Sequence, residues 1–195
     1  MSKKRCLILR GGPSLDDCDL SNLEGETVIA CNETVLRGRC DHLIWLDPDF
    51  YKRFKNIIDD APFKKYCRRD ITTSDYLTDI IPIKTSGKYY GKDGLTKGLC
   101  AHGRTDGILC GPAAISLAAA LGFEKIFLLG YDGGDINGRL HFTGYTSKEK
   151  DVYSSRYQAY ERIAAAGELD IVNCSMNSKI LQFKKMRYDD VVNSL

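Results

Sequence analysis

The 195-residue sequence has no excess of charge of either sign: 28 Lys and Arg oppose 26 Asp and Glu, and the basic residues are scattered. That excludes the concentrated basic footprint nucleic-acid binding needs, so no nucleic-acid partner is expected. Long apolar runs are missing too; the longest falls far short of the ~20 residues that span a bilayer, which argues against a membrane partner. There is no C-x-x-C pair among the eight cysteines (Cys6, Cys18, Cys31, Cys40, Cys67, Cys100, Cys110, Cys174). Several sit inside apolar runs, and the opening MSKKRCLILR has only a short apolar stretch before Gly11, unlike a secretory signal. Reduced, mostly buried thiols and a cytoplasmic location are the expectation. Internal repeats, low-complexity tracts, the six-position dinucleotide fingerprint and a Walker loop are all absent.

What is present is an alternation of short apolar runs with longer amphipathic segments, the pattern of a parallel sheet covered by helices. It predicts strands at Cys6–Leu9, Thr27–Cys31, His42–Leu46, Asp79–Ile83, Lys125–Leu129 and Asp170–Asn173. Helices are expected at Asp49–Ile58, Gly107–Leu121, Ser154–Ala166 and Ser178–Lys185. The fold class is therefore α/β, a Rossmann-like open, mostly parallel sheet with helices on both faces. The length is that of one domain, residues 1–195. Residues 85–104, rich in Gly, Lys and Tyr and without periodicity, are expected to form a loop, a candidate lid.

The segment Arg10-Gly11-Gly12-Pro13-Ser14-Leu15 follows the first apolar run. Two glycines there let backbone N–H groups approach a ligand, and a helix starting at Pro13 would add its donors and partial positive charge. Ser14 with Asp17 three residues on fits a capping box. Ligands of open α/β sheets sit at the carboxyl ends of strands. Polar groups end other runs in the same way: Asn32 and Glu33 after the second, Asp47 and Asp49 after the third, Asp132 after the fifth. Asp49 reads as a helix cap, and Asp47-Pro48-Asp49 and Asp132 with Asp135 have the spacing of paired metal-binding carboxylates.

At these residues the chain resembles bacterial sialyltransferases that use a CMP-activated sugar. It also resembles the archaeal 6-hydroxymethylpterin diphosphokinase-like family, which has uncharacterised members in phage genomes. The shared landmarks are Gly11 to Leu15, the pair Cys31-Asn32, the segment Gly107 to Asp132, the stretch Gly138 to His141, and Val172 to Ser178. The resemblance implies that Gly11, Gly12, Pro13 and Ser14 approach nucleotide phosphates and that Asn32 binds the nucleotide. Asp132 would meet the ribose, the acceptor or a metal, and His141 would be the general base. Asp106-Gly107 stands where a Ser-Gly pair is common, so the hydroxyl contact to the substrate is either lost or supplied by Thr105, and the acceptor-site insert is shorter here.

His141 and Asp132 are thus the catalytic candidates. Gly11, Gly12, Pro13, Ser14, Asn32, Asp47, Thr105, Asp106 and Gly107 are the binding candidates. An imidazole suits proton abstraction because its ordinary pKa is ~6.5. His141 lies in a polar Gly-bounded loop; His102 is its competitor, and His42, opening an apolar run, reads as structural. Arg104, Lys97 or the Gly11 and Gly12 amides could balance leaving-group charge. Tyr157 and Tyr160 share a helix face with Tyr153 and read as packing residues, while Tyr145 could touch a phosphate. The leading expectation is a nucleotide-sugar-dependent glycosyltransferase-like enzyme with a nucleotide or nucleotide-sugar partner and no dedicated metal site. The alternatives are diphosphokinase-like transfer from ATP, which would need Mg²⁺, and non-catalytic nucleotide sequestration. A homo-oligomer is compatible with either.

Overall fold

Cys6, Leu7, Ile8 and Leu9 are each almost wholly buried, because the strand they form lies at the centre of a sheet with both faces covered. In the computed structural model, which describes residues 4–71, 79–102, 108–142 and 157–194, that strand is β1 (Arg5–Leu9). It is followed by β2 (Val28–Cys31), β3 (His42–Trp45), α1 (Pro48–Ile58), β4 (Lys64–Arg68), β5 (Ile80–Ile83), β6 (Thr85–Ser86), α2 (Gly94–Lys97), β7 (Leu99–Cys100) and α3 (Cys110–Ala120). Then come β8 (Lys125–Leu129), α4 (Gln158–Ala166), β9 (Asp170–Asn173), β10 (Lys184–Lys185) and α5 (Tyr188–Val192).

Eight strands pair in the order β10-β9-β8-β1-β2-β3-β4-β5, and every pairing is parallel. Alternate residues of each strand face opposite layers. Cys6, Ile8, Ile126 and Leu128 pack under α3 and α4. Leu7, Leu9, Phe127 and Leu129 pack against Leu15 and the Tyr188 and Val191 of α5, while Leu43 and Trp45 pack against α1. The open α/β sheet with helices on both faces is as expected. Among the described residues no helix is long and apolar enough to cross a membrane.

From β1 the chain runs outward through β2 to β5, then returns to place β8 on the other side of β1. The direction of winding reverses between β1 and β8, and a crevice opens at their carboxyl ends. The helix leading into β8 is α3, whose residues Gly111 to Ala119 are all buried. Small side chains let it sit in the layer between sheet and surface elements. It stops where Gly122 takes φ 82° and the amides of Gly122 and Phe123 turn back to the carbonyls of Ala119 and Ala118.

Four elements differ from expectation. The β4 strand was missed because its sequence, KKYCR, carries lysines. Lys65 is nonetheless only 2 % exposed, its Nζ donating to the Ala61 carbonyl at 3.0 Å and pairing with Asp79. The helix expected at Ser178–Lys185 does not form. The Ser178 hydroxyl donates to the Tyr131 carbonyl at 2.6 Å and accepts from the Ile180 amide at 3.0 Å, local bonding that competes with helix formation, and Lys184–Lys185 add β10 to the sheet edge. The short α5 was not foreseen. The stretch 85–102 is not a plain loop: β6 and β7 pair parallel, and Leu99, Cys100 and Ala101 are fully buried beside α3. Residues 103 and 104 lie outside the described residues, as do the first positions of the helices expected at Gly107 and Ser154.

Candidate functional site

The ends of β1, β2 and β8 are tied together by side chains that follow them. The Thr34 hydroxyl donates to the Leu9 carbonyl at 3.1 Å and accepts from the Cys31 amide at 2.9 Å, fixing the end of β2 against the end of β1. The Tyr131 hydroxyl donates to the Gly111 carbonyl at 3.0 Å, joining the end of β8 to the first turn of α3. Between these fastenings lies a cleft of about 290 Å³, lined by Arg10, Gly11, Gly12, Asn32, Cys110, Asp132, His141 and their neighbours.

Gly11 and Gly12 do line it, but the space a Cβ would take is used by the protein itself. A Cβ on Gly11 would lie 1.9 Å from Nε2 of His141, and one on Gly12 would lie 2.2 Å from Oδ2 of Asp132. The glycines thus serve to seat the imidazole and the carboxylate against the β1 end. The Phe142 amide donates to the Gly11 carbonyl at 2.9 Å, and Arg139 bridges Asp16 and the Phe142 carbonyl, which holds the His141 segment over the turn.

The helix after the turn is one short 3₁₀ segment, Pro13–Asp17, with Gly12 as its unassisted cap. The capping box expected from Ser14 and Asp17 is absent. The Ser14 amide donates to Oδ2 of Asp132 at 2.9 Å, and its hydroxyl bonds to that of Ser175 at 2.6 Å. The anion at this helix start is therefore the protein's own carboxylate. Pro13 and Ser14 face a neighbouring recess of about 460 Å³ that shares Asp132 with the cleft.

Two oxygens in the cleft wall are buried without a partner among the described residues: Oδ1 of Asn32 and Oδ1 of Asp132. Asp132 is 2 % exposed, and leaving one carboxylate oxygen unsolvated and unbonded is costly. Asn32 adopts φ 51°, a left-handed conformation that non-glycine residues seldom take and that clusters at functional positions. His141 is half-buried, and burial lowers its pKa below the ordinary 6.5; nearby Arg10 lowers it further, while Glu33 pulls the other way. The imidazole is thus held in its neutral, proton-accepting form near neutral pH.

Asp47 does not join this group. Its carboxylate accepts from the Asp49 amide at 2.9 Å as the cap of α1, so the cap falls two residues before the expected Asp49, which pairs instead with Lys52. Asp135 accepts from the Gly138 amide. Among the described residues no three His, Cys, Asp or Glu side chains group as metal ligands. Thr105, Asp106, Gly107, Arg104, Tyr145 and Tyr153 lie outside the described residues. Lys97, at the end of α2, pairs with Asp93 just before that helix and does not line the cleft. His102 bonds Thr85 at 3.0 Å, and His42 bonds Tyr66 at 3.2 Å and is half-buried at a strand start. Tyr157 donates to the Gly133 carbonyl at 2.6 Å, and Tyr160 packs edge-on to Tyr131.

A centrally reversed parallel sheet with its crevice beside β1 can be compared with solved structures. The fold is similar to that of the sialyltransferase CstII. The CstII of Campylobacter jejuni in complex with the substrate analogue cytidine-5'-monophosphate superposes with a TM-score of 0.64 at 19 % identity, over 94 % of this chain and 84 % of CstII. CstII in complex with a trisaccharide acceptor and CMP gives 0.58 at 18 %, over 94 % and 86 %. The MAf glycosyltransferase of Magnetospirillum magneticum AMB-1 gives 0.63 at 18 %, over 99 % of this chain but 34 % of MAf. No protein-family model and no curated protein matches the sequence. The likeness to CstII is one of fold, reaching nearly the whole chain.

Sequence reasoning named Arg10 only as the first residue of the turn, with no role, and passed over Cys110; both line the cleft. Arg10 had a readable signal: it is the first residue after β1, at a carboxyl strand end. Cys110 had none; it lines the cleft because α3 starts there, where its thiol donates to the Ile44 carbonyl at 3.3 Å.

Proposed function

We propose that the chain is a nucleotide-sugar-dependent glycosyltransferase whose donor occupies the cleft between the ends of β1, β2 and β8. One observation carries the reading: two buried oxygens without partners, on Asn32 and Asp132, line a single cleft at the point where the sheet reverses its winding. The fold likeness to CstII, crystallised with CMP, supports it.

In this reading Asn32 offers Oδ1 to a donor on the base or ribose. Its strained backbone holds that oxygen in place before the ligand arrives. Asp132, fixed through Oδ2 by the Ser14 amide, offers Oδ1 to a ligand hydroxyl. His141 accepts the proton of the attacking acceptor hydroxyl as the bond between sugar and nucleotide phosphate breaks, and the phosphate leaves with the bonding electron pair. Gly11 and Gly12 set the imidazole and carboxylate at the strand end. Thr105, Asp106 and Gly107 complete the binding set from the segment before α3.

Incubation with CMP-, UDP- and GDP-sugars, followed by turnover and thermal shift, tests the proposal. Turnover of one of them is expected; silence by both readouts across the panel overturns it. Release of AMP from ATP with an absolute Mg²⁺ requirement would point to diphosphokinase-like transfer, and stoichiometric binding without product to sequestration. The pH dependence follows from the sign of the His141 shift. A base with a lowered pKa stays neutral and active as pH falls to 6.5, so the acid limb of kcat/KM should lie below 6.5 and disappear in H141A.

A further inference from the structure

Among the described residues lining the cleft, Asp132 is the one carboxylate and Arg10 the one cation. A phosphate entering would meet the Asp132 charge at once and needs a positive charge to offset it. Two amides of the turn are already used, that of Ser14 by Asp132 and that of Gly12 by the Gly130 carbonyl at 2.9 Å, and Pro13 has none to give.

Arg10 is the residue placed to supply the positive charge. Its guanidinium carbon lies 5.7 Å from the centre of the buried Tyr131 ring. Its Cδ and Nε pass within 3.1 Å of where a Cβ on Gly111 would sit, so the second residue of α3 must be small to admit it. The arm is thereby threaded between the β8 end and the start of α3 toward the cleft. A guanidinium suits the task, since its planar fork matches phosphate oxygens and stacks on an aromatic face. We propose that Arg10 neutralises and orients the phosphate of the donor, and so selects a nucleotide over a nucleoside; this rests on the donor reading above. The guanidinium charge lies close enough to favour the neutral form of His141 and to oppose the burial and neighbouring groups that raise Cys110, Tyr131 and Tyr160.

Isothermal titration of wild type, R10Q and R10K with CMP, UMP, GMP, cytidine and inorganic pyrophosphate tests it. R10Q should lose about 10- to 100-fold in affinity for the preferred nucleotide and leave the matching nucleoside within about twofold, with R10K recovering part of the loss. Equal losses for nucleotide and nucleoside, or none for either, overturn the assignment. Wild type itself provides a check independent of any variant's folding: its preference for CMP over cytidine should shrink as NaCl is raised. No preference at any salt overturns the role of Arg10 while leaving nucleoside binding intact. If no nucleotide binds but pyrophosphate does, and R10Q abolishes it, the donor reading fails and the anion site stands. If pyrophosphate is not bound either, both fall.

Discussion

At the end of β3 the chain enters α1 by the ordinary route. Asp47 caps the helix, Pro48 fills its first position, and Trp45 stacks on Tyr51 with ring centres 5.9 Å apart and packs near Phe50. At the end of β2, in the equivalent place on the neighbouring strand, Asn32 takes a left-handed backbone and keeps a buried oxygen without a partner. The backbone of the first junction follows local preference, with a side-chain cap, and that of the second departs from it. Where local preference and tertiary structure agree, the residues serve stability; where they conflict, a functional position is the expected reason.

That contrast can be broken by substitution. Trp45→Ala empties the core around α1 and should cost about 3–5 kcal/mol in urea unfolding, with nucleotide affinity unchanged in the protein that stays folded. Gly12→Ala drives a methyl into Asp132 and the Gly130 carbonyl. It should lower stability by about 1–3 kcal/mol and abolish ligand binding in calorimetry, and retention of binding would show that the Asp132 geometry is immaterial. Asn32→Gly is the sharpest case. Relief of the left-handed strain should raise stability by up to about 1 kcal/mol, while affinity falls about tenfold or more; a gain in both would mean the asparagine is a turn residue and no more. Asp47→Ala is the mildest, about 1 kcal/mol of stability lost and catalysis untouched, as befits a cap.

The same contrast explains what could be read in advance. Strands such as Lys125–Leu129 and the Ala-rich α3 are legible because their burial is apolar and their local propensities agree with it. β4 was hidden because Lys65 buries its stem and satisfies its ammonium through Ala61 and Asp79, which no periodicity reveals. The helix expected after Ser178 fails through side-chain bonds to Tyr131 and Ile180, one of them a contact 47 residues away. In the site, Gly11, Gly12, Asn32, Asp132 and His141 could be nominated because strand ends and a motif point to them. Their convergence was not legible, since it depends on β8 lying beside β1. Asp47 was nominated by the same strand-end logic and turned out to cap α1, because position along a strand does not say whether the sheet's crevice is near.

The pairing of β1 with β8 also has a consequence in time. Leu7 pairs with Val28 across 21 residues but with Phe127 across 120. Closing the longer loop costs about 1.5 kcal/mol more in chain entropy, so the β1–β2 pair has the easier search. The Gly12–Asp132 contact spans the same 120 residues, and the Gly11–His141 contact spans 130. Chain entropy thus predicts that the cleft forms after the β1–β2 pair, and a ligand that binds only the folded cleft would hold its two distant halves together by mass action.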